Sequence, residues 1–141
     1  MAPASRFGAG FRVGLIASTF ALAVAPTAVR LFRSWQARAA VTGESMLPVL
    51  QPGDWLLVDP LAFRDRPPRA GELVVVPDPR EPERVLVKRV RSTLENGRLE
   101  LAGDAADQST DSRTFGPVSA DDVRGRAWAR YWPPDRWGRV R

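Results

Sequence analysis

Two residues in this 141-residue chain stand out as candidates for nucleophilic chemistry. Ser45 lies in the irregular stretch Gly43-Glu44-Ser45-Met46-Leu47-Pro48, just ahead of the apolar run Trp55–Asp59. Lys88 lies in Val85-Leu86-Val87-Lys88-Arg89-Val90 and is the single lysine beside 20 arginines. A serine hydroxyl attacks well only when a neighbouring base takes its proton. The chain has no Cys and no His. That removes thiol nucleophiles, Ser-His-Asp triads and most zinc sites. A lysine or a carboxylate must then act as base, and a neutral lysine is the natural partner for a serine. Arginine keeps its proton at working pH, whereas a buried lysine loses it. Strand alternation puts Leu86, Lys88 and Val90 on one face. An amine between two apolar side chains is short of water, and its charged form is disfavoured. Each residue also has a plain reading. Ser45 fits a turn serine before Pro48, and Lys88 fits a surface ammonium snorkelling off its strand.

A third cluster spans Gly103–Val118, where Asp107, Ser109, Asp111, Ser112 and Arg113 crowd together. A calcium loop would space its oxygens regularly and end on a late Glu. Neither feature is present. Asp111 and Arg113 are placed to form a bidentate pair, and Ser109 is a hydrogen-bond partner for a nearby ammonium. The tight Gly43-Glu44-Ser45 segment can aim a main-chain N–H at a developing oxyanion.

The elements that must hold these residues read as β. Residues 55–59, 72–77, 84–90, 98–103 and 123–132 are short apolar or alternating runs. Asn96-Gly97 between two of them predicts a type I′ hairpin. Residues 59–72 and 77–83 are rich in Pro and charge and read as loops. A small, mainly β catalytic domain over 39–141 is expected, preceded by an N-terminal segment, 1–38. Val13–Val29 is 17 residues without a charge, bracketed by Arg12 and Arg30. At ~1.5 Å per residue it spans about 25 Å, and snorkelling arginines extend it over about 13–32 as one transmembrane helix. A cleaved signal peptide ending at Ala23-Val24-Ala25 and a buried soluble helix are the competing readings, but Pro26 disfavours such a cut. Residues 1–38 hold five Arg and no acid. Residues 39–141 hold 15 Arg, one Lys and all 16 acids, a balance of zero. The basic excess flanks a lipid bilayer rather than forming a nucleic-acid groove, so no nucleic-acid partner is expected. Arginines flank the apolar run on both sides and leave its orientation open.

In order and context, the three clusters resemble those of the type I signal peptidases. Gly43-Glu44-Ser45-Met46-Leu47-Pro48 resembles that family's nucleophile box. Val85–Val90, with Lys followed by Arg on a strand, resembles its general-base box. Gly103–Val118 resembles its third box, a Gly-Asp-Asn followed by Ser-x-Asp-Ser-Arg. The resemblance covers about residues 41–133. It implies a membrane-anchored, single-pass serine endopeptidase with its catalytic domain on the extracytoplasmic side, acting on the leader or signal peptides of precursor proteins. It implies Ser45 as nucleophile and Lys88 as general base. It implies that Ser109 orients the lysine amine, that Asp111 and Arg113 hold the site together, and that Met46 lines the cleft. The Ser45 amide would supply part of the oxyanion hole, and no metal or cofactor is expected. Departures stand at Ala105, where the family usually has Asn; at Glu72, in place of Asp; at Val49, in place of Thr; and at Gly43, where some members carry a hydroxyl for the oxyanion hole. The compact catalytic part also resembles the maturation proteases of nickel-type superoxide dismutase. A catalytically inactive, membrane-anchored peptide-binding module is the alternative outside enzymes, and it does not account for the joint presence of Ser45 and Lys88.

Overall fold

The computed structural model describes residues 37–105 and 115–141, together with 26, 28, 29 and 31–33. The chain divides into two compact units, Met1–Leu31 and Phe32–Arg141. In the first, Pro26, Ala28, Val29 and Leu31 are helical. No helix among the described residues is long and apolar enough to cross a membrane. The anchor expected over 13–32 falls mainly outside the described residues.

The second unit is built on one antiparallel sheet. Its strands are β1 (Arg38–Ala40), β2 (Trp55–Asp59), β3 (Leu73–Asp78), β4 (Glu81–Thr93), β5 (Leu99–Ala102), β6 (Gly125–Trp132) and β7 (Gly138–Arg139). The spatial order is β1-β2-β6-β3-β4-β5, with β7 paired to β6. The expected β class holds. β3 explains why the sequence shows a continuous Leu-Val-Val-Val run rather than an alternation. It lies between β6 and β4, and both its faces are covered. Leu73 and Val75 join Ala39, Val41, Met46, Leu50, Leu56, Val58 and Ala127 in one core. Val74 and Val76 join Leu86, Val90, Leu99, Leu101 and Val118 in another. β-branched side chains pack well on such a doubly buried strand. The close approach of β6 to β2 requires Gly125, since a Cβ there would stand 2.6 Å from the Asp59 carbonyl oxygen.

Two local expectations change. The sequence predicts a loop over residues 77–83, yet β3 and β4 join through Pro79-Arg80 alone. The fully buried Asp78 carboxylate accepts hydrogen bonds from the Arg80 main-chain N–H at 3.0 Å and from its guanidinium at 3.0 and 2.8 Å. That local closure lets β4 begin at Glu81. Pro82 is tolerated because the β3–β4 pairing jumps from Asp78↔Glu81 to Pro77↔Val85, so its missing N–H costs no ladder bond. Asn96-Gly97 does turn the chain, but not through a two-residue type I′ loop. Leu94 N–H donates to Arg98 C=O and Gly97 N–H to Leu94 C=O. Gly97 has φ 78°. This is a three-residue loop ending in a left-handed glycine, the other common hairpin closure. Strands β1 and β7 carry too little apolar pattern to be read from sequence.

Candidate active site

Ser45 sits on the loop joining β1 to β2. The neck of that loop is closed by Val41 N–H to Asp54 C=O and Gly53 N–H to Val41 C=O, both 2.8 Å. Within it, Leu50 N–H donates to Met46 C=O at 2.8 Å. Met46 and Leu50 are 1% and 0% exposed, and both are sunk into the first core. Burying these two flanking residues leaves Ser45 half-buried at the surface. A polar clamp holds the base of the loop. Asp54, fully buried, accepts hydrogen bonds from Gln51 N–H at 2.9 Å, Arg130 Nη1 at 3.1 Å and Arg136 Nη2 at 3.0 Å. Arg130 also donates to the Val49 carbonyl. Charge-assisted bonds from two guanidinium groups are what make a buried carboxylate tolerable.

Lys88 is carried by β4, opposite Val74 of β3. Leu86, Lys88 and Val90 are all buried while Val87 and Arg89 are less so, the alternation expected from the sequence. The amine-bearing side chain is only 2% exposed. Arg89, next along the strand, grips Asp104 with Nε to Oδ1 at 2.7 Å and Nη2 to Oδ2 at 2.6 Å. That hydrogen-bonded carboxylate holds the Arg89 guanidinium above its ordinary pKa. One residue on, Ala105 N–H donates to the Ser45 carbonyl at 3.0 Å. The start of the third cluster thus touches both other clusters. Ser109, Asp111 and Arg113 lie outside the described residues. Ala105, noted for lacking an amide side chain, acts here through its main chain.

Ser45 and Lys88 line the same open pocket of about 210 Å³, with Gly43, Glu44, Arg80, Arg84 and Leu86. A smaller hollow of about 50 Å³ adjoins it, walled by Val41, Met46, Val85 and Val87 and sharing Gly43, Ser45 and Arg84. Met46 borders this hollow, with its side chain almost wholly buried in the core. A Cβ on Gly43 would meet nothing within 4 Å, so packing does not require glycine there. Among the described residues, none pairs with the edge of β4 beside these hollows. β5 pairs with β4 only from Arg89 onward. Val90 exchanges main-chain hydrogen bonds with Gly71 and Glu72 on the β3 side. Antiparallel alternation then turns the N–H and C=O groups of Val85 and Val87 the other way, toward the groove. Among the described residues no group of three carboxylates forms a metal-ligand set.

Sequence reasoning missed the Asp54 clamp, the Arg89–Asp104 pair and a third one at the start of β3. There Glu72 accepts hydrogen bonds from Arg66 at 2.8 and 2.6 Å, from Arg69 N–H at 2.9 Å and from Arg126 at 3.1 Å. These bonds, that from Arg66 foremost, lower its pKa from 4.5 to about 2. In a chain with 20 arginines, no spacing rule says which one meets which carboxylate.

A half-buried serine and a buried lysine thus line one pocket on a small antiparallel sheet. The sequence profile described as "Signal peptidase, peptidase S26" matches residues 12–93 and 90–132. Mitochondrial ATP-independent inner membrane protease subunit 1a of Arabidopsis thaliana is 37% identical over 124 residues, covering 72% of this chain and 73% of that protein. Mitochondrial inner membrane protease subunit 2 of Danio rerio is 33% identical, covering 72% and 67%. The mouse subunit 2 is 31% identical, covering 82% and 78%. The chain belongs to the signal peptidase family, peptidase S26, and is a peptidase of the type I signal peptidase kind.

Proposed function

We propose that this protein is a membrane-anchored endopeptidase that removes N-terminal leaders from precursor proteins through a Ser45–Lys88 dyad. The observation that carries the reading is that a half-exposed serine and a lysine only 2% exposed line one pocket, beside a strand edge that no described residue pairs. Burial disfavours the ammonium form, so Lys88 is poised to accept a proton. A precursor lies extended against β4, bonded to the main chain of Val85 and Val87 as an added strand. Lys88 takes the Ser45 proton as Oγ attacks the scissile carbonyl. The C–N bond breaks, the leaving amine collects the proton from Lys88, and an acyl-enzyme remains. Water then attacks the ester, giving its proton to Lys88, which returns it to Ser45. The Ser45 amide is the candidate oxyanion donor. The small hollow walled in part by Val41, Met46, Val85 and Val87 takes small side chains, which in an extended peptide recur at alternate positions such as −1 and −3. Relatives named as inner membrane proteases and the uncharged run between Arg12 and Arg30 support a membrane location with the catalytic unit on the side where leaders emerge.

The test uses full-length protein in detergent and an Ala-x-Ala leader peptide, with products read by mass. Lys88→Arg and Ser45→Ala should each lower kcat by at least about a thousandfold, and the double variant no further, because the pair acts as a unit. Activity should rise on the alkaline side as Lys88 loses its proton. A folded Lys88→Arg protein that still cleaves at near wild-type rate would sink the dyad and return Ser45 to the role of a turn serine.

A further inference from the structure

The pocket shared by Ser45 and Lys88 is not apolar on all sides. Arg80, Arg84 and Glu44 stand on its wall. Arg80 is committed to the buried Asp78, at 2.8 Å. That carboxylate sits below its ordinary pKa, chiefly through the Arg80 hydrogen bond, with a small contribution from the charge of Arg84. Arg84 is exposed on β4, and among the described residues neither Glu44 nor any other carboxylate forms an ion pair with it. It borders both hollows that meet at Ser45. It lies four residues before Lys88 on the strand, roughly 13 Å at ~3.3 Å per residue. An arginine side chain covers about half of that distance. A cation so placed meets a substrate side chain a few residues from the bond held at Ser45.

We propose that Arg84 is a specificity-determining residue that selects leaders carrying an acidic side chain within three residues of the cut. The guanidinium offers a carboxylate two parallel donors. Glu44 supplies the opposing sign on the nucleophile side of the same pocket, so an acidic side chain is repelled there and directed to the β4 rim. This rests on the reading that the pocket binds a leader peptide, but not on the chemistry at Ser45.

The experiment separates the two. A fluorescent Ala-x-Ala leader peptide is made with Asp placed singly at each position from −4 to +3, each paired with its Asn isostere. Binding is measured to the full-length Ser45→Ala protein in detergent, and kcat/KM to the wild type. At one position within three residues of the cut, Asp should bind about fivefold tighter than Asn. The advantage should shrink as salt rises. It should fall to parity in Arg84→Gln and grow in Glu44→Gln. No acidic preference at any position, or one that survives Arg84→Gln, overturns the proposal. If wild type cleaves nothing while Ser45→Ala still shows the Arg84-dependent preference, the dyad fails and this assignment stands. If wild type cleaves every pair at equal rates, the leader-cleaving reading stands and this assignment falls.

Discussion

The loop that carries Ser45 and the strand that carries Lys88 reach the same pocket by different physics. Lys88 is placed by periodicity. Its neighbours Leu86 and Val90 bury on the same face, and the β3 ladder sets its height opposite Val74. Any sequence with that alternation would aim residue 88 the same way. Ser45 has no such repeat to rely on. Its loop is pinned by two apolar plugs, Met46 and Leu50, by one main-chain bond from Ala105 and by a carboxylate at its base that meets arginines 76 and 82 residues away. A site built on one regular arm and one clamped arm fails unevenly. Damage to the strand should lower stability first, and damage to the clamp should lower both stability and catalysis.

The largest effect is expected at the clamp. Asp54→Ala leaves Arg130 and Arg136 without their buried counter-charge, a loss of about 3–5 kcal/mol. Denaturant unfolding should show that loss, and kcat should fall with it because Ser45 is no longer held. Normal turnover in a folded Asp54→Ala protein would mean that the two arms do not differ in this way. Asp54→Asn, which keeps shape and an acceptor for Gln51 N–H, should be milder.

The strand arm sharpens the contrast. Val90→Ala truncates a side chain that is 1% exposed and should cost about 1–3 kcal/mol. Peptide KM and kcat should stay near wild type at temperatures well below Tm, since the ladder still sets the direction of residue 88. A kcat loss out of proportion to stability would show that Lys88 depends on its apolar neighbour for more than packing.

A smaller effect belongs to the start of β3, which supports the strand arm. Glu72 has its pKa lowered from 4.5 to about 2 in the folded state. A depressed carboxylate stabilises above its unfolded pKa, and that contribution drains away as pH falls from about 4.5 to about 2. Acid unfolding of wild type should steepen across this window. Glu72→Gln should flatten it by about 1–2 kcal/mol, measured as the difference between the two stability–pH curves. Parallel curves would remove Glu72 from the acid response.

Much of the candidate site was legible because its signals are local. With no Cys, no His and one Lys, elimination narrowed the candidates to Ser45 and Lys88, and the family resemblance favoured them over their plain readings. The strand placing of Lys88 follows from period-two alternation, and the strands at 55–59 and 98–103 lie within a residue of their expected bounds. Elsewhere local rules met competitors they could not see. The charged stretch 77–83 closes into a tight hairpin because Asp78 is buried and bonded to Arg80. The three-residue loop at Glu95–Gly97 follows from where Leu94 and Arg98 pair. By itself the sequence determined the class of fold, the order of the three clusters and the chemistry open to them, since composition and periodicity are properties of neighbouring residues. Only the tertiary structure decided which carboxylate each arginine meets, which edge of β4 is left unpaired among the described residues and that Arg84 borders the pocket. Those depend on residues dozens of positions apart being brought together by the burial of two apolar cores on opposite faces of one sheet, and no local pattern encodes that.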